Sequence, residues 1–282
     1  MAKWQDFIGK SMTQTDMLTV ALAQRHAATL DLPMPPQAAL PGIHWCLCLP
    51  DAPTAHLGAD GHPRRDIPGS FLPPIPLPRR MWASSSVEFL APLPLGATVE
   101  RHSTIATIAE KSGNSGPLIF VTVEHQTILD GAVAVQETQN IVYRDASIAA
   151  PAFTAPRADD LPIDAAAWPH SRRVVPSQAQ LLRYSALTFN AHRIHYDLPY
   201  ARDVEGYAGL VVHGPLTATL LLNHARDIAG HPIRQFSFRG ASPAFCGEPL
   251  TLAAHQHGST LTLTAFNGLG QNVMTAEAES HS

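Results

Sequence analysis

Two histidines and an asparagine fall within six residues of one another in "LTFNAHRIHYD", Leu187 to Asp197. An imidazole has an unperturbed pKa near 6.5, so His195 is a candidate general acid or base at working pH. Asn190 exchanges no proton near neutrality, but its amide can orient a water or a carbonyl. His192 and Asp197 extend the cluster, and Arg193 adds a guanidinium beside it. A lone histidine is most often a satisfied core residue. Four polar groups at the end of one helix point more readily into a cleft.

A second stretch, "GYAGLVVHGPLTATLL", leads through a glycine-bearing loop into an apolar run at His213, Gly214 and Pro215. The first N–H groups of a helix have no intrahelical acceptor and carry partial positive charge, so they suit an oxygen that gains charge during a reaction. Gly214 lets a ligand come close to the backbone, while Pro215 removes an N–H the helix would not use. The plain alternative is an ordinary loop-to-helix junction with a buried His213. A metal held by His192, His195, Asp197 and His213 is disfavoured, because the set lacks the spacing of a catalytic zinc site. No G-x-S-x-G elbow, P-loop or G-x-G-x-x-G fingerprint is present, and no cofactor is expected.

These residues need elements to hold them. Ser177 after Pro176 reads as the N-cap of a short helix through Leu187, which places Asn190 to Asp197 at its exit. "GPLTATLLLNHARDIAG" reads as a helix with Pro215 in its first turn and Gly230 past its end, apolar on nearly every side and therefore buried. In the first half, Thr13 to Asp16 resembles a capping box leading into "MLTVALAQRHAATL". Each half closes in a β meander, turning at Asp130-Gly131 and at Asn267-Gly268. A weak repeat aligns Pro92 and Gly96 with Pro243 and Gly247. One helix cradled in a curved antiparallel sheet, twice over, is an α+β double hotdog. The expected organisation is an N-terminal hotdog over 1–150, a linker over 151–176 and a C-terminal hotdog over 177–282. The proline-rich stretch 51–82 is too irregular for a regular element and reads as a covering loop, which at that length is often functional.

Composition removes several classes of function. A net charge of -4 over 282 residues, with 15% charged residues, offers nothing to nucleic acid or to an anionic membrane. Cys46 and Cys48 alternate in "HWCLCL" as on one strand face, and three cysteines cannot all pair, so free thiols in a reducing cytoplasm are expected. No apolar run approaches a membrane span, and the N-terminus lacks a secretory h-region.

The segment "YSALTFNAHRIHYDLPYARDVEGYAGLVVHGPLTATLL" resembles the MaoC-like hotdog hydratases and dehydratases. The likeness is greatest to the branch with hydroxyacyl-thioester dehydratase type 2, mesaconyl-C4-CoA hydratase and itaconyl-CoA hydratase. "LGADGHPRR", "FLPPIPLPRRMWASSSVEFL" and "FSFRGASPAFCGEPL" extend the likeness over most of the chain. The resemblance implies a degenerate N-terminal hotdog that helps hold substrate and a catalytic C-terminal one. It implies addition of water to the α,β double bond of a short, dicarboxylic enoyl-CoA. The superfamily motif Asp-x-Asn-Pro-x-His falls on Asn190 to His195, so the histidine is kept as His195 while Asn190 replaces the aspartate and His192 the asparagine. The oxyanion donor falls on Gly214, as the residues alone suggest. The second acid/base group is left to Asp197 or His192, with Asn190 positioning water. His192, Arg193 and His213 are expected beside the acyl group, and Arg79, Arg80 or Arg239 at the CoA phosphates. CoA arrives as part of the substrate, and the reading admits a homodimer. Two other readings are a fatty-acid-type 3-hydroxyacyl dehydratase acting on acyl carrier protein, and a silent acyl-CoA-binding subunit.

Overall fold

The computed structural model describes residues 4–35, 38–113, 116–145 and 167–281. Ten antiparallel strands form a single sheet: β1 (Ser11–Met17), β2 (Arg79–Phe89), β3 (Thr98–Gly113), β4 (Gly116–Leu129), β5 (Ala132–Arg144), β6 (His170–Val174), β7 (Ile233–Gly240), β8 (Leu250–His257), β9 (Thr260–Asn267) and β10 (Asn272–Ser280). Their order across the sheet is β1-β3-β4-β5-β2-β7-β10-β9-β8-β6. Each half contributes five strands in the same relative order, run in opposite senses from a central seam. At that seam β2 pairs with β7, Ser84 opposite Arg239 through Glu88 opposite Gln235. The pairing removes two exposed sheet edges at once.

Among the described residues, three α-helices accompany the sheet: α1 (Val20–Thr29), α2 (Gln178–Leu187) and α3 (Gly214–Ala229). Every residue of α3 from Leu216 to Ala225 is buried, and the helix packs on β7, β8, β9 and β10. Pro215 sits in its first turn and Gly230, at φ 67°, ends it. The Ser177 side chain accepts a hydrogen bond from the Gln180 N–H and caps α2 as expected. The β4–β5 turn uses Asp130 and Gly131, both at positive φ, the twist that a two-residue hairpin prefers.

The repeat extends to backbone bonds. Gly96 N–H donates to Leu18 O just before α1, and Gly247 N–H donates to Pro176 O just before α2. Residues 38 and 211 bridge to residues 94 and 245 in the same way. α1 is therefore the counterpart of α2, and in the first half the counterpart of α3 has shrunk to the turn Ile43–Cys46.

Three local expectations change. Residues 13–16 lie in β1, paired with β3, and the helix starts later with Thr19 as its cap. Cys46 and Cys48 lie in and just after a helical turn, with Cys48 at φ 51°, and not on a strand; both are buried free thiols. The expected linker contains β6, which pairs with β8; residues 151–166 lie outside the described residues. Among the described residues, no helix is long and apolar enough to cross a membrane.

Candidate active site

The exit of α2 folds back on itself at once. Asn190 N–H donates to Ser185 O, and the Asn190 Oδ1 accepts from His192 N–H at 3.0 Å. A single helical turn, Arg193–His195, follows, and it buries His195 to 7% exposure. His195 Nδ1 lies 2.7 Å from the Val211 carbonyl oxygen. A carbonyl only accepts, so Nδ1 carries the proton and Nε2 keeps its lone pair. Burial lowers the His195 pKa to about 4, against the opposing Val211 bond and helped by the nearby His62. The ring is therefore a neutral base at pH 7.

His195 stacks on His213, with centroids 3.6 Å apart and planes 17° from parallel. His213 is buried, and its Nε2 meets Ser185 Oγ at 2.8 Å, which ties the α3 entrance to α2. Burial also holds His213 well below the usual imidazole range. The stack carries His195 to the mouth of α3, where Gly214 is the first helical residue. A Cβ built on Gly214 would meet nothing nearer than Trp82 O at 4.0 Å. Protein packing thus makes no demand for glycine there; a ligand approaching the N–H would.

The covering loop reaches the same place. Asp60 O accepts from Arg193 N–H, and Ala59 O accepts from the Arg193 guanidinium at 3.0 Å. Gly61, at φ +88°, sits so close to the Asn190–Ala191 turn that a Cβ would fall 1.9 Å from Ala191 O. This contact sets His62 against His192, with ring centroids 4.0 Å apart, and His192 meets His195 edge to face at 5.6 Å. His62 Nδ1 donates to Asp60 Oδ2 at 2.9 Å. Burial lowers the His62 pKa to about 4, with Arg80 and Arg65 adding to the shift and Asp60 opposing it. Burial alone would raise the Asp60 carboxyl, but its bonds to His62 outweigh that and hold it ionised. Ligand atoms of Asp60, His62 and His192 all lie within 4.8 Å of one another, the one grouping among the described residues with the spread to chelate an ion. It differs from the metal set weighed on the sequence.

Several expected site residues are engaged elsewhere. Asp197 is not set against His195: its Oδ2 accepts from Arg193 Nε and Nη2 at 3.0 and 2.7 Å, and its Oδ1 accepts from Tyr200 N–H. It caps the next turn and clamps Arg193. Arg193 is held by that clamp, by the covering loop and by stacking on Tyr200 at 4.1 Å, contacts that fix it in place beside the turn. Arg79 joins β2 to the second half through Glu205, bonding its carbonyl and approaching its carboxylate at 3.4 Å. Arg239 is exposed on the strand face opposite buried Phe238, away from α3. Arg80 lines a cavity beside His62. Sequence reasoning missed Asp60, His62 and Glu205. The first two stand in "LGADGHPRR", where a histidine two residues after an aspartate in a long loop was the available signal.

The chain matches the sequence model of the family described as hydroxyacyl-thioester dehydratase type 2 over residues 42–246. It is 44% identical over 282 residues to the mesaconyl-C(4)-CoA hydratase of Chloroflexus aurantiacus, covering 99% of this chain and 98% of that protein. It is 30% identical over 248 residues, 78% of each chain, to the mitochondrial hydroxyacyl-thioester dehydratase type 2 of Schizosaccharomyces pombe. Among solved structures, a MaoC-like dehydratase from Phytophthora capsici aligns with a TM-score of 0.70 at 16% identity, covering 99% of this chain and 98% of that one. A Mycobacterium tuberculosis protein described as a double hotdog aligns with a TM-score of 0.58 at 14% identity, over 99% of both. At these identities the structural matches speak for the fold, which is the α+β double hotdog.

Proposed function

Because the chain belongs to the hydroxyacyl-thioester dehydratase type 2 family, we propose that it is a hydro-lyase that reversibly adds water to the α,β double bond of a short enoyl-CoA. The observation that carries the reading is the His195 imidazole, locked by Val211 O with its Nε2 lone pair free and stacked onto the residue before Gly214. His195 Nε2 takes a proton from water as the oxygen bonds to the β-carbon. The π pair moves toward the thioester oxygen, whose growing charge meets the Gly214 N–H, a donor fixed before the reaction starts. A proton then reaches the α-carbon, completing the addition. Asn190 cannot supply it, and Asp197 is held by Arg193 and Tyr200 N–H. The proton that His195 took from water is the one returned there, and His192, edge to face with His195 and held neutral by burial and the neighbouring His62, positions that ring. Asn190 shapes the turn that presents His192. The second hotdog thus carries the chemistry, and the first contributes the covering loop.

A substrate with a second carboxylate is supported by the 44% identical relative, named as a mesaconyl-C(4)-CoA hydratase. Unpaired Cys46, Cys48 and Cys246 favour a cytoplasmic setting. The test is to follow the conjugated thioester absorbance of crotonyl-CoA and mesaconyl-C4-CoA with the purified chain. Loss of absorbance, reversed from the 3-hydroxyacyl side, supports the proposal. Binding of CoA thioesters without turnover sinks it in favour of a silent subunit.

A further inference from the structure

We propose that Arg65 and Arg80 form an anion subsite that grips the distal carboxylate of a dicarboxylic acyl group. The inference rests on the enoyl-thioester reading above. The two side chains line a cavity of about 280 Å³ together with Asp60 and His62, under the proline-rich wall of the covering loop. Several other guanidinium groups are matched by carboxylates: Arg64 with Asp66 in the same cavity, and Arg193 with Asp197, Arg226 with Asp227 and Arg234 with Glu279. The Arg80 side chain makes no hydrogen bond or ion pair among the described residues. Arg65 lies over the Tyr143 ring at 4.9 Å, and its Nη1 is buried without a hydrogen-bond partner. Withdrawing a cation from water without a partner is costly, and a ligand carboxylate offsets that cost with charge-assisted bonds.

Besides the Arg64–Asp66 ion pair, which is matched within itself, the cavity holds one further charge, Asp60, and it is committed. Its Oδ2 accepts from His62 Nδ1 at 2.9 Å and its Oδ1 from His62 N–H at 3.1 Å. Three guanidinium groups against two carboxylates leave the cavity positive in a chain whose net charge is -4. Position separates the two sources of anionic oxygen that an acyl-CoA carries. His62 lines the cavity and packs against His192 with the ring planes tilted by 36°, and His192 in turn meets His195 edge to face. The subsite is thus two imidazole rings from the proposed base. The CoA phosphates sit at the far end of the pantetheine arm, whereas the second carboxylate of a short diacid lies beside the carbons that react. The sequence assigned Arg80 to the phosphates; the cavity assigns it to the acyl end.

The experiment compares kcat/KM for mesaconyl-C4-CoA and neutral crotonyl-CoA in the wild type, Arg80→Gln and Arg65→Gln, and repeats it with the pantetheine thioesters of both acids, which lack phosphates. The ratio of diacid to neutral substrate is expected to fall on the order of a hundredfold in each variant, mainly through KM, with both thioester types. A ratio that does not move overturns the subsite. So does a loss seen with CoA thioesters and absent with pantetheine thioesters, which would give the arginines to the phosphates. Arg80→Gln carries the result even if Arg65→Gln is poorly folded, since the Arg80 side chain makes no hydrogen bond or ion pair among the described residues. A wild type that hydrates neither substrate removes the hydratase reading itself. One that hydrates crotonyl-CoA with no preference for the diacid removes the subsite alone.

Discussion

His195 illustrates how one hydrogen bond sets a role. The Val211 carbonyl takes the Nδ1 proton and so leaves Nε2 as an acceptor, while burial keeps the ring neutral. Substituting His195 by Ala should lower kcat by about a hundredfold or more, the usual scale for a lost general base. Near-native turnover by a folded variant would refute the assignment. The base is active unprotonated and its pKa is lowered to about 4. kcat/KM, read from brief initial rates, should therefore hold as pH falls through 6.5 and decline only on approach to 4; a base limb at 6.5 would mean that an unburied imidazole does the work. Asp197 gives the contrast. Its oxygens serve Arg193 and the Tyr200 N–H, so Asp197→Asn should change kcat only a few-fold, the scale of losing a partly exposed ion pair. A loss equal to that of His195→Ala would return Asp197 to the proton path.

At the scale of elements, the covering loop and the α2 exit turn behave as one unit, because Gly61 fits where no side chain can. A Cβ there lies 1.9 Å from Ala191 O and the backbone sits at φ +88°, so Gly61→Ala must displace either the loop or the turn. The expected outcome is destabilisation of more than about 1 kcal/mol together with a drop in activity. Hydrogen exchange should show lost protection at Arg193 N–H, which donates to Asp60 O. An Ala variant with native exchange at Arg193 and native rate would show that the loop does not need this seat. α3 is positioned by comparable cross-talk: Asn223 Nδ2 donates to Pro41 O of the first half at 3.0 Å, so the helix that opens at Gly214 is held from both halves.

Among the described residues, neutral imidazoles are buried well beyond the site as well. Burial lowers His26 to about 4, His44 to about 3 and His125 to about 4, in addition to the site histidines. Each is depressed in the folded state relative to about 6.5 unfolded, so the unfolded chain binds more protons as the solution is acidified. The stability they protect is complete above pH 6.5 and is lost as pH falls from there through about 4, at up to about 1.4 kcal/mol per pH unit for each fully titrating group. The midpoint of thermal unfolding should drop steeply between pH 7 and pH 5. A flat profile over that range would show that these rings reach solvent. The β2–β7 seam makes this loss global, since one sheet spans both halves.

Features written in short windows were legible in the sequence alone. Ser177 caps α2 through a bond three residues away, Pro215 and Gly230 bound α3, and Asp130-Gly131 turns the β4–β5 hairpin. His195 and Gly214 stood out for the same reason, since a helix exit and a helix entrance are local events. What depends on distant partners was decided by the tertiary structure. Thr13 joins a strand because His102 waits opposite it, although its own neighbours suggest a helix start. Asp197 is drawn to Arg193, Arg79 to Glu205, and His62 is carried from a loop some 130 residues upstream onto His192. A polar side chain bonds to whichever partner folding brings within about 3 Å, and that choice is made by the packing of both halves at once.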